Sequence, residues 1–299
     1  MATTYEGIDV SQWNGNVNFS KVKSTKKFVM IRAGYGKYIS QKDPKFESNY
    51  KNAVAAGLSV GTYWYSYATN AADAKKEAEV FLSVIKGKKF DMPVAFDIED
   101  ATQVKLSRST LDAIVVAFMT EVEKAGYYAS LYSYEAFLNK LSSSTLKRYD
   151  IWCANISKTP TLSCGMHQYS FTGNISGCNG AVDLNRTQKD YPTIMKTHGF
   201  NGYPKSASNN TATAPAAKKL ETSGAKKGDN NSTVYALKLL LLIALNKKIQ
   251  PYGMDDNSVF GVGTENAVNY ILDKNGYAKT GIAGTKFLKL LYELILKAK

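Results

Sequence analysis

The chain has 299 residues, with 38 Lys and Arg against 25 Asp and Glu, a net charge of +13, and only two histidines and three cysteines. A hydrophobic share of 44% supplies a sizeable core and excludes a disordered or fibrous chain, and the length fits two domains of about 150 residues. So few cysteines exclude a disulfide framework, and two histidines are too few for a His-rich metal site or for most Ser/His chemistry, which pushes any catalysis toward carboxylates.

The opening stretch Met1-Ala-Thr-Thr-Tyr-Glu has no basic segment followed by an apolar run, so no signal peptide is expected. Short β-like runs then alternate with helical ones. The expected strands are 7–10, 28–35, 59–67, 92–99, 127–134, 151–156, 166–170 and 181–185, with helices at 44–56, 71–85, 107–124 and 135–141. Strands alternating with helices that thin out after the fifth strand predict an α/β fold, an irregular TIM-like (β/α)5(β)3 barrel over residues 1–202. Residues 203–227 read as a flexible linker, because Ser206 to Ala217 is small and polar and lacks hydrophobic periodicity. Residues 228–299 read as a small all-α three-helix bundle with helices at 233–245, 264–274 and 285–297, the last two starting at candidate N-caps Thr264 and Thr285. The longest apolar run, Leu239 to Leu245, is far below the ~18 residues of a membrane span.

The strongest chemical feature is Val94-Ala-Phe-Asp97-Ile-Glu99-Asp100, a buried strand ending in acids. Along a strand, residues i and i+2 share a face about 6.6 Å apart, so Asp97 and Glu99 are expected to project together. At the C-terminal end of a barrel strand this is where active sites lie, and two close acids cannot both ionise easily. One proton-donating acid beside one ionised partner is what glycoside hydrolysis needs. Asp9 at the end of the first strand and Asp183 at the end of the eighth are expected to meet across the mouth from Asp97 and Glu99, since first and last strands of a closed barrel are neighbours. Aromatics gather at the same ends, Tyr35, Tyr65, Tyr132, Trp152 and Tyr169 among them, and flat amphipathic rings suit sugar faces. Arg32 is placed to pair with a carboxylate. Other chemistries are weakly supported. Cys153 lies in a strand, Cys164 and Cys178 could bridge if oxidised, no Cys-x-x-Cys occurs, and Gly34-Tyr-Gly36 lacks the glycines of a phosphate loop.

At these residues the chain resembles the glycoside hydrolase family 25 lysozymes, Chalaropsis-type muramidases. The resemblance rests on Gly7-Ile-Asp9-Val-Ser-Gln-Trp13, Ile31-Arg-Ala-Gly-Tyr35-Gly, Gly61-Thr-Tyr-Trp-Tyr65, Val94-Ala-Phe-Asp97-Ile-Glu99, Leu131-Tyr-Ser, Ile151-Trp-Cys-Ala154, His167-Gln168-Tyr169 and Val182-Asp183-Leu-Asn185, in the family's order. It implies cleavage of the β-1,4 bond between N-acetylmuramic acid and N-acetylglucosamine in peptidoglycan. It further implies Glu99 as general acid, Asp97 as companion carboxylate, Asp9 and Asp183 as shapers of the site, and Tyr65 as a residue orienting the sugar. Gln168 and Tyr169 enter as expected substrate contacts through the same match. No metal or cofactor is implied. The C-terminal segment is similar to a three-helix peptidoglycan-binding module through Asp256-Asn-Ser-Val-Phe260-Gly-Val-Gly-Thr264 and Gly276-Tyr277-Ala, which makes Phe260, Thr264 and Tyr277 its candidate wall contacts.

The resemblance points to a phage endolysin, made in the cytoplasm and released to the wall by a pore-forming holin. A bacterial autolysin and a non-catalytic wall-binding protein are the alternatives. The basic charge predicts a polyanionic partner, and anionic wall polymers fit it better than nucleic acid, for which no basic stripe with interleaved aromatics exists; no membrane partner is expected.

Overall fold

A computed structural model describes residues 3–204, 219–253 and 257–298, and the chain divides into two compact units, Met1–Ser208 and Asn209–Lys299. The middle of the stretch read as linker, residues 205–218, lies outside the described residues.

In the first unit eight strands close a barrel in sequence order: β1 Tyr5–Val10, β2 Phe28–Tyr35, β3 Ser59–Tyr65, β4 Val94–Asp97, β5 Ala129–Tyr134, β6 Asp150–Ala154, β7 Met166–Gly173 and β8 Val182–Thr187. Neighbours from β1 to β7 are parallel, whereas β8 runs antiparallel to both β7 and β1. Around them lie α1 Phe19–Lys23, α2 Phe46–Ala55, α3 Ala71–Ile85, α4 Arg108–Lys124, α5 Glu135–Leu138, α6 Ser143–Arg148 and α7 Tyr191–His198. The mixed α/β barrel is therefore the one expected, with three short helices (α1, α6 and α7) too brief for a periodicity to show. Local chemistry sets the starts: Asn70 accepts the N–H of Asp73 at α3 (2.9 Å), and Ser107 that of Thr110 at α4 (3.2 Å).

Period-two alternation sorts each strand between two cores. Val29 and Ile31 of β2, Trp64 of β3, Phe96 of β4 and Leu131 of β5 face the helices and share one buried cluster. Phe28, Met30, Ala95, Tyr132, Trp152 and Met166 form a separate cluster inside the barrel. Gly61 is required there, because a Cβ would collide with Met30 and Met92. Between sheet and helices, Phe118 of α4 stacks on Phe96 at 4.0 Å and on Phe81 of α3 at 5.8 Å, and Phe81 meets Trp64 at 5.5 Å.

Two expectations are corrected at the barrel's mouth. The third and fourth strands stop at Tyr65 and Asp97, two residues early: one more inter-strand bond follows each, from the N–H of Ser66 to the carbonyl of Asp97 (2.9 Å) and from the N–H of Ile98 to the carbonyl of Tyr132 (3.1 Å), and the N–H of Gln103 then closes a turn on the carbonyl of Asp100 (2.9 Å). Glu99 lies just past the last of these strand bonds. Asp183 stands near the start of β8, not its end, since this strand enters from the mouth.

The second unit contains α8 Ser232–Asn246, α9 Val262–Lys274 and α10 Thr285–Lys297 around Val234, Leu237, Leu241, Phe260, Val268, Ile271, Phe287 and Leu291. Neither threonine is an N-cap. The caps are Gly261 and Gly284, and the missing side-chain cap of α10 comes from Glu221, whose carboxylate accepts the N–H groups of Gly284 (2.6 Å), Lys286 (3.1 Å) and Phe287 (3.0 Å). Thr264 is buried inside α9 instead. Glu221 and, in the first unit, Tyr203, whose hydroxyl donates to Asp91 (2.6 Å), are thus anchored parts of the stretch read as linker. Buried Lys238 donates to Asn257 (2.8 Å) and to the carbonyl of Val259 (3.2 Å), tying α8 to the turn before α9.

Phe118→Ala removes a buried ring stacked on two aromatic neighbours, Phe96 and Phe81, and leaves a cavity. It is expected to destabilise the chain by about 3–5 kcal/mol in chemical denaturation, and a loss below about 1 kcal/mol would contradict this packing.

Candidate active site

Alternation on β1 and β4 carries Asp9 and Asp97 to the inside of the barrel, at the mouth formed by the C-terminal strand ends. Asp9 is buried, and its Oδ2 accepts two amides, Gln168 Nε2 and Asn185 Nδ2, each at 2.7 Å. Neither amide is free to turn. The carbonyl of Gln168 receives the hydroxyl of Tyr132 (2.6 Å), and the carbonyl of Asn185 receives the indole N–H of Trp152 (2.8 Å). Each aromatic donor fixes which end of its amide faces Asp9.

Asp183 is the register partner of Asp9 across β1 and β8, and their carboxyls share a hydrogen bond. Burial raises both, but the two amide donors pull Asp9 back toward its ionised form. Asp183 keeps the shared proton: burial and the charge of Asp9 push it up to about 8. Glu99 is pushed up to about 7 by burial and then by Asp9 and Asp100. Asp97 is driven well above the usual carboxylate range by burial, Glu99 and Asp9, against the pull of Arg32, and its Oδ1 is buried without a hydrogen-bond partner among the described residues. All four predicted acids are thus electrostatically joined in one mouth.

The predicted aromatics divide. Tyr35, Tyr65 and the half-exposed Tyr67 form a run, with Tyr67 in edge contact with Tyr35 at 6.0 Å and with Tyr65 at 5.1 Å. The hydroxyl of Tyr65 donates to Asp100 (3.2 Å). Tyr132 and Trp152 are buried behind the amides, 4.5 Å from each other, and act through Gln168 and Asn185. Gln168 is likewise buried on Asp9. Tyr169 is not with this group: one residue on along β7 it faces outward, against His167 at 6.1 Å and Arg186 at 5.2 Å. Arg32 ion-pairs with none of the four acids. Its Nε donates to buried Asp43 (2.9 Å), which also accepts the N–H of Gln12 (3.0 Å), so Arg32 acts on Asp97 only through its field.

In the second unit Phe260 and Thr264 are fully buried and hold its core together, which removes them from any surface, while Tyr277 is half-buried against that core. The three cysteines are free, with Cys153 buried and Cys164 and Cys178 half-buried. Among the described residues no group of His, Cys, Asp and Glu is arranged to hold a metal ion, and no helix is long and apolar enough to cross a membrane.

Two functional positions escaped the sequence reading. Asn185 carried a signal, since it lies two residues from Asp183 and therefore on the same inward face of β8. Gln103, buried beside the Glu99 turn, carried none.

The sequence model of the family described as glycosyl hydrolases family 25 matches residues 8–178, more than half of the chain, from within β1 through β7. The chain belongs to glycosyl hydrolases family 25. Among curated proteins it is similar to the autolytic lysozyme of Clostridium acetobutylicum, 32% identical over 186 residues that cover 60% of this chain and 54% of that protein. The chain thus spans little more than half the length of that relative. Among solved structures it is similar to the bacterial lysozyme from Streptomyces coelicolor, with a TM-score of 0.56, 26% identity and coverage of 62% of this chain and 93% of that one. The CTP1L endolysin shares the fold over 98% of this chain and 99% of its own, with a TM-score of 0.57 at 19% identity.

The raised carboxyls fix the sign of a pH dependence. The folded chain keeps the protons of Glu99 and Asp183 up to about pH 7 and 8, whereas the unfolded chain releases them near ordinary carboxylate values. Folding therefore takes up protons between these limits, and stability falls as pH rises through that window. Asp183→Asn removes one such group while keeping a donor toward Asp9. It is expected to raise the unfolding temperature by ~3 °C or more at pH 8 and by little at pH 4; an equal shift at both pH values would show that Asp183 holds no extra proton.

Proposed function

We propose that the barrel is a muramidase that hydrolyses the β-1,4 bond between N-acetylmuramic acid and N-acetylglucosamine in bacterial peptidoglycan. The observation that carries the reading is the carboxyl of Glu99, kept protonated up to about pH 7 at the edge of a mouth crowded with acids. A general acid works best when its pKa lies near the operating pH, because it then holds its proton and still gives it up readily. Glu99 protonates the glycosidic oxygen as the bond breaks. The sugar left behind develops positive charge, and Asp9, which two amide donors pull toward its ionised form, is placed to offset it where water is excluded, while Asp183 keeps its proton. Asp97 stands as the companion carboxylate, and Asp9, aimed by its two amides, fixes the charge at the floor. The Tyr65 ring, with its hydroxyl held by Asp100, offers an oriented face to the sugar.

The two units divide the work in this reading. The barrel cuts, and the helical unit over residues 228–299 holds the wall, so that the second attachment raises the local concentration of a cutter on an insoluble polymer. The similar proteins named above include an autolytic lysozyme and an endolysin, and a phage endolysin acting at the wall after holin-dependent release fits the same chemistry. The net charge of +13 suits walls bearing anionic polymers.

Purified walls incubated with the wild-type chain should release new reducing ends, and Glu99→Gln should lower that rate by about a hundredfold to ten-thousandfold. New free amines without reducing ends would identify an amidase or peptidase and end the muramidase reading. For the second unit, the full chain should sediment with intact walls at low salt while a chain ending at Ser208 stays in solution. Equal sedimentation of both would remove the wall-binding role from the helices.

A further inference from the structure

The last strand bond of β4 is made by Ile98, so strand pairing holds Glu99 on one side only, and the structure assigns the other side to a buried side chain of the following turn. Gln103, in the turn after β4, is completely buried. Its Nε2 reaches the carbonyl of Ser66 (3.3 Å), the hydroxyl of Ser66 (3.2 Å) and the carbonyl of Ala68 (3.0 Å), all in the turn that follows β3. Its Oε1 accepts the N–H of Asp100 (3.0 Å). One amide therefore joins the turn that carries Tyr65 and Tyr67 to the turn that carries Glu99.

The consequence for Glu99 is direct. On its N-terminal side the N–H of Ile98 is held by the carbonyl of Tyr132 in β5 (3.1 Å), and on its C-terminal side the N–H of Asp100 is held by Gln103. Glu99 sits between these two pins. The same Asp100 accepts the hydroxyl of Tyr65, and the N–H of Tyr67 is held by the carboxylate of buried Glu77 from α3 (2.9 Å). Only an amide of this length can give to one turn and accept from the other: Glu would turn an oxygen toward the Ser66 and Ala68 carbonyls, and Met would fill the space with neither function.

We propose that Gln103 is a positioning residue that aims Glu99 and the Tyr65 hydroxyl together by locking the turns after β3 and β4. The role rests on the muramidase reading of Glu99, and it places a determinant of catalytic geometry outside the carboxylate set.

The test compares Gln103→Met and Gln103→Glu with the wild-type full chain on soluble glycan strands, with folding checked by near-ultraviolet circular dichroism. Gln103→Met is expected to lower kcat by about tenfold to a hundredfold, the scale of a small misplacement of a reacting group, with KM within about twofold. The alkaline limb of its kcat profile should move to lower pH as Glu99 meets more water, and the Asp100 amide should exchange hydrogen faster. Gln103→Glu should show the same loss at neutral pH and recover part of it in acid, where a protonated carboxyl donates again. The charged groups around that position are Asp100 on its own turn, Glu77 from α3 and Lys140, which donates to the carbonyl of Val104 (2.9 Å). Folded variants with wild-type kcat, pH profile and Asp100 exchange overturn the role. A change in KM alone overturns it too, and unfolding of both variants would make Gln103 a fold element instead. A wild-type chain that releases no reducing ends would count against the muramidase reading, whereas the Asp100 exchange still reports on the lock.

Discussion

Everything at the mouth follows from confining four carboxyl groups where water is scarce and no cation touches them. Ordinary carboxylates so placed would repel one another and lose their hydration, so the cluster cannot ionise fully near neutral pH. The barrel resolves this unevenly. Asp9 receives two amide donors that pull it toward its ionised form, Asp183 opposite keeps a proton, and Glu99 at the edge keeps another until about pH 7. Arg32, the nearest positive group, spends its own hydrogen bond on Asp43, which leaves the field of the cluster only partly offset. A protonated acid beside ionised ones is thus a product of where solvent and donors are allowed, with no special residue type required.

The acids of β1 and β4 were legible because a strand's period of two leaves little freedom: hydrophobic neighbours facing the helices force Asp9 and Asp97 inward. The rest depended on information that periodicity does not contain. Strand direction is one example, since Val182–Thr187 reads the same whether it runs with or against β1, and only closure of the barrel showed Asp183 at the entrance. The position of Glu99 is another, because the rule that predicted it beside Asp97 applies to strands, and the strand had ended. Arg32 was read as a partner for a mouth acid, yet Asp43 is brought to it by a loop whose path no local pattern announces. Tyr169 matched a motif but alternates outward from Gln168. In the helical unit, Phe260 and Thr264 of the matched motif proved to be packing residues, which a motif match cannot separate from binding residues.

A layered division of labour emerges. Tyr132 and Trp152 never need to touch a substrate to matter, because each orients an amide that in turn aims Asp9. Gln103 and Glu77 do the same for the Tyr65–Tyr67 turn and for Glu99. The groups that face the mouth are few, and Asp9 and the Tyr65–Tyr67 turn rest on buried donors or acceptors, the arrangement that keeps a reacting group within a fraction of an ångström of its place.

The pairing of β1 with β8 has a further consequence for timing. The two amides that hold Asp9 come from residues 159 and 176 positions later in the chain. During synthesis the first strand therefore waits for nearly the whole barrel before its carboxylate acquires its donors and its proton-sharing neighbour. Contacts of such long range form late, after the loops between them have been closed. A partly made chain has the sequence of the first acids but not their shared surroundings, so the topology itself delays the assembly of the acid cluster until the last strand is in place.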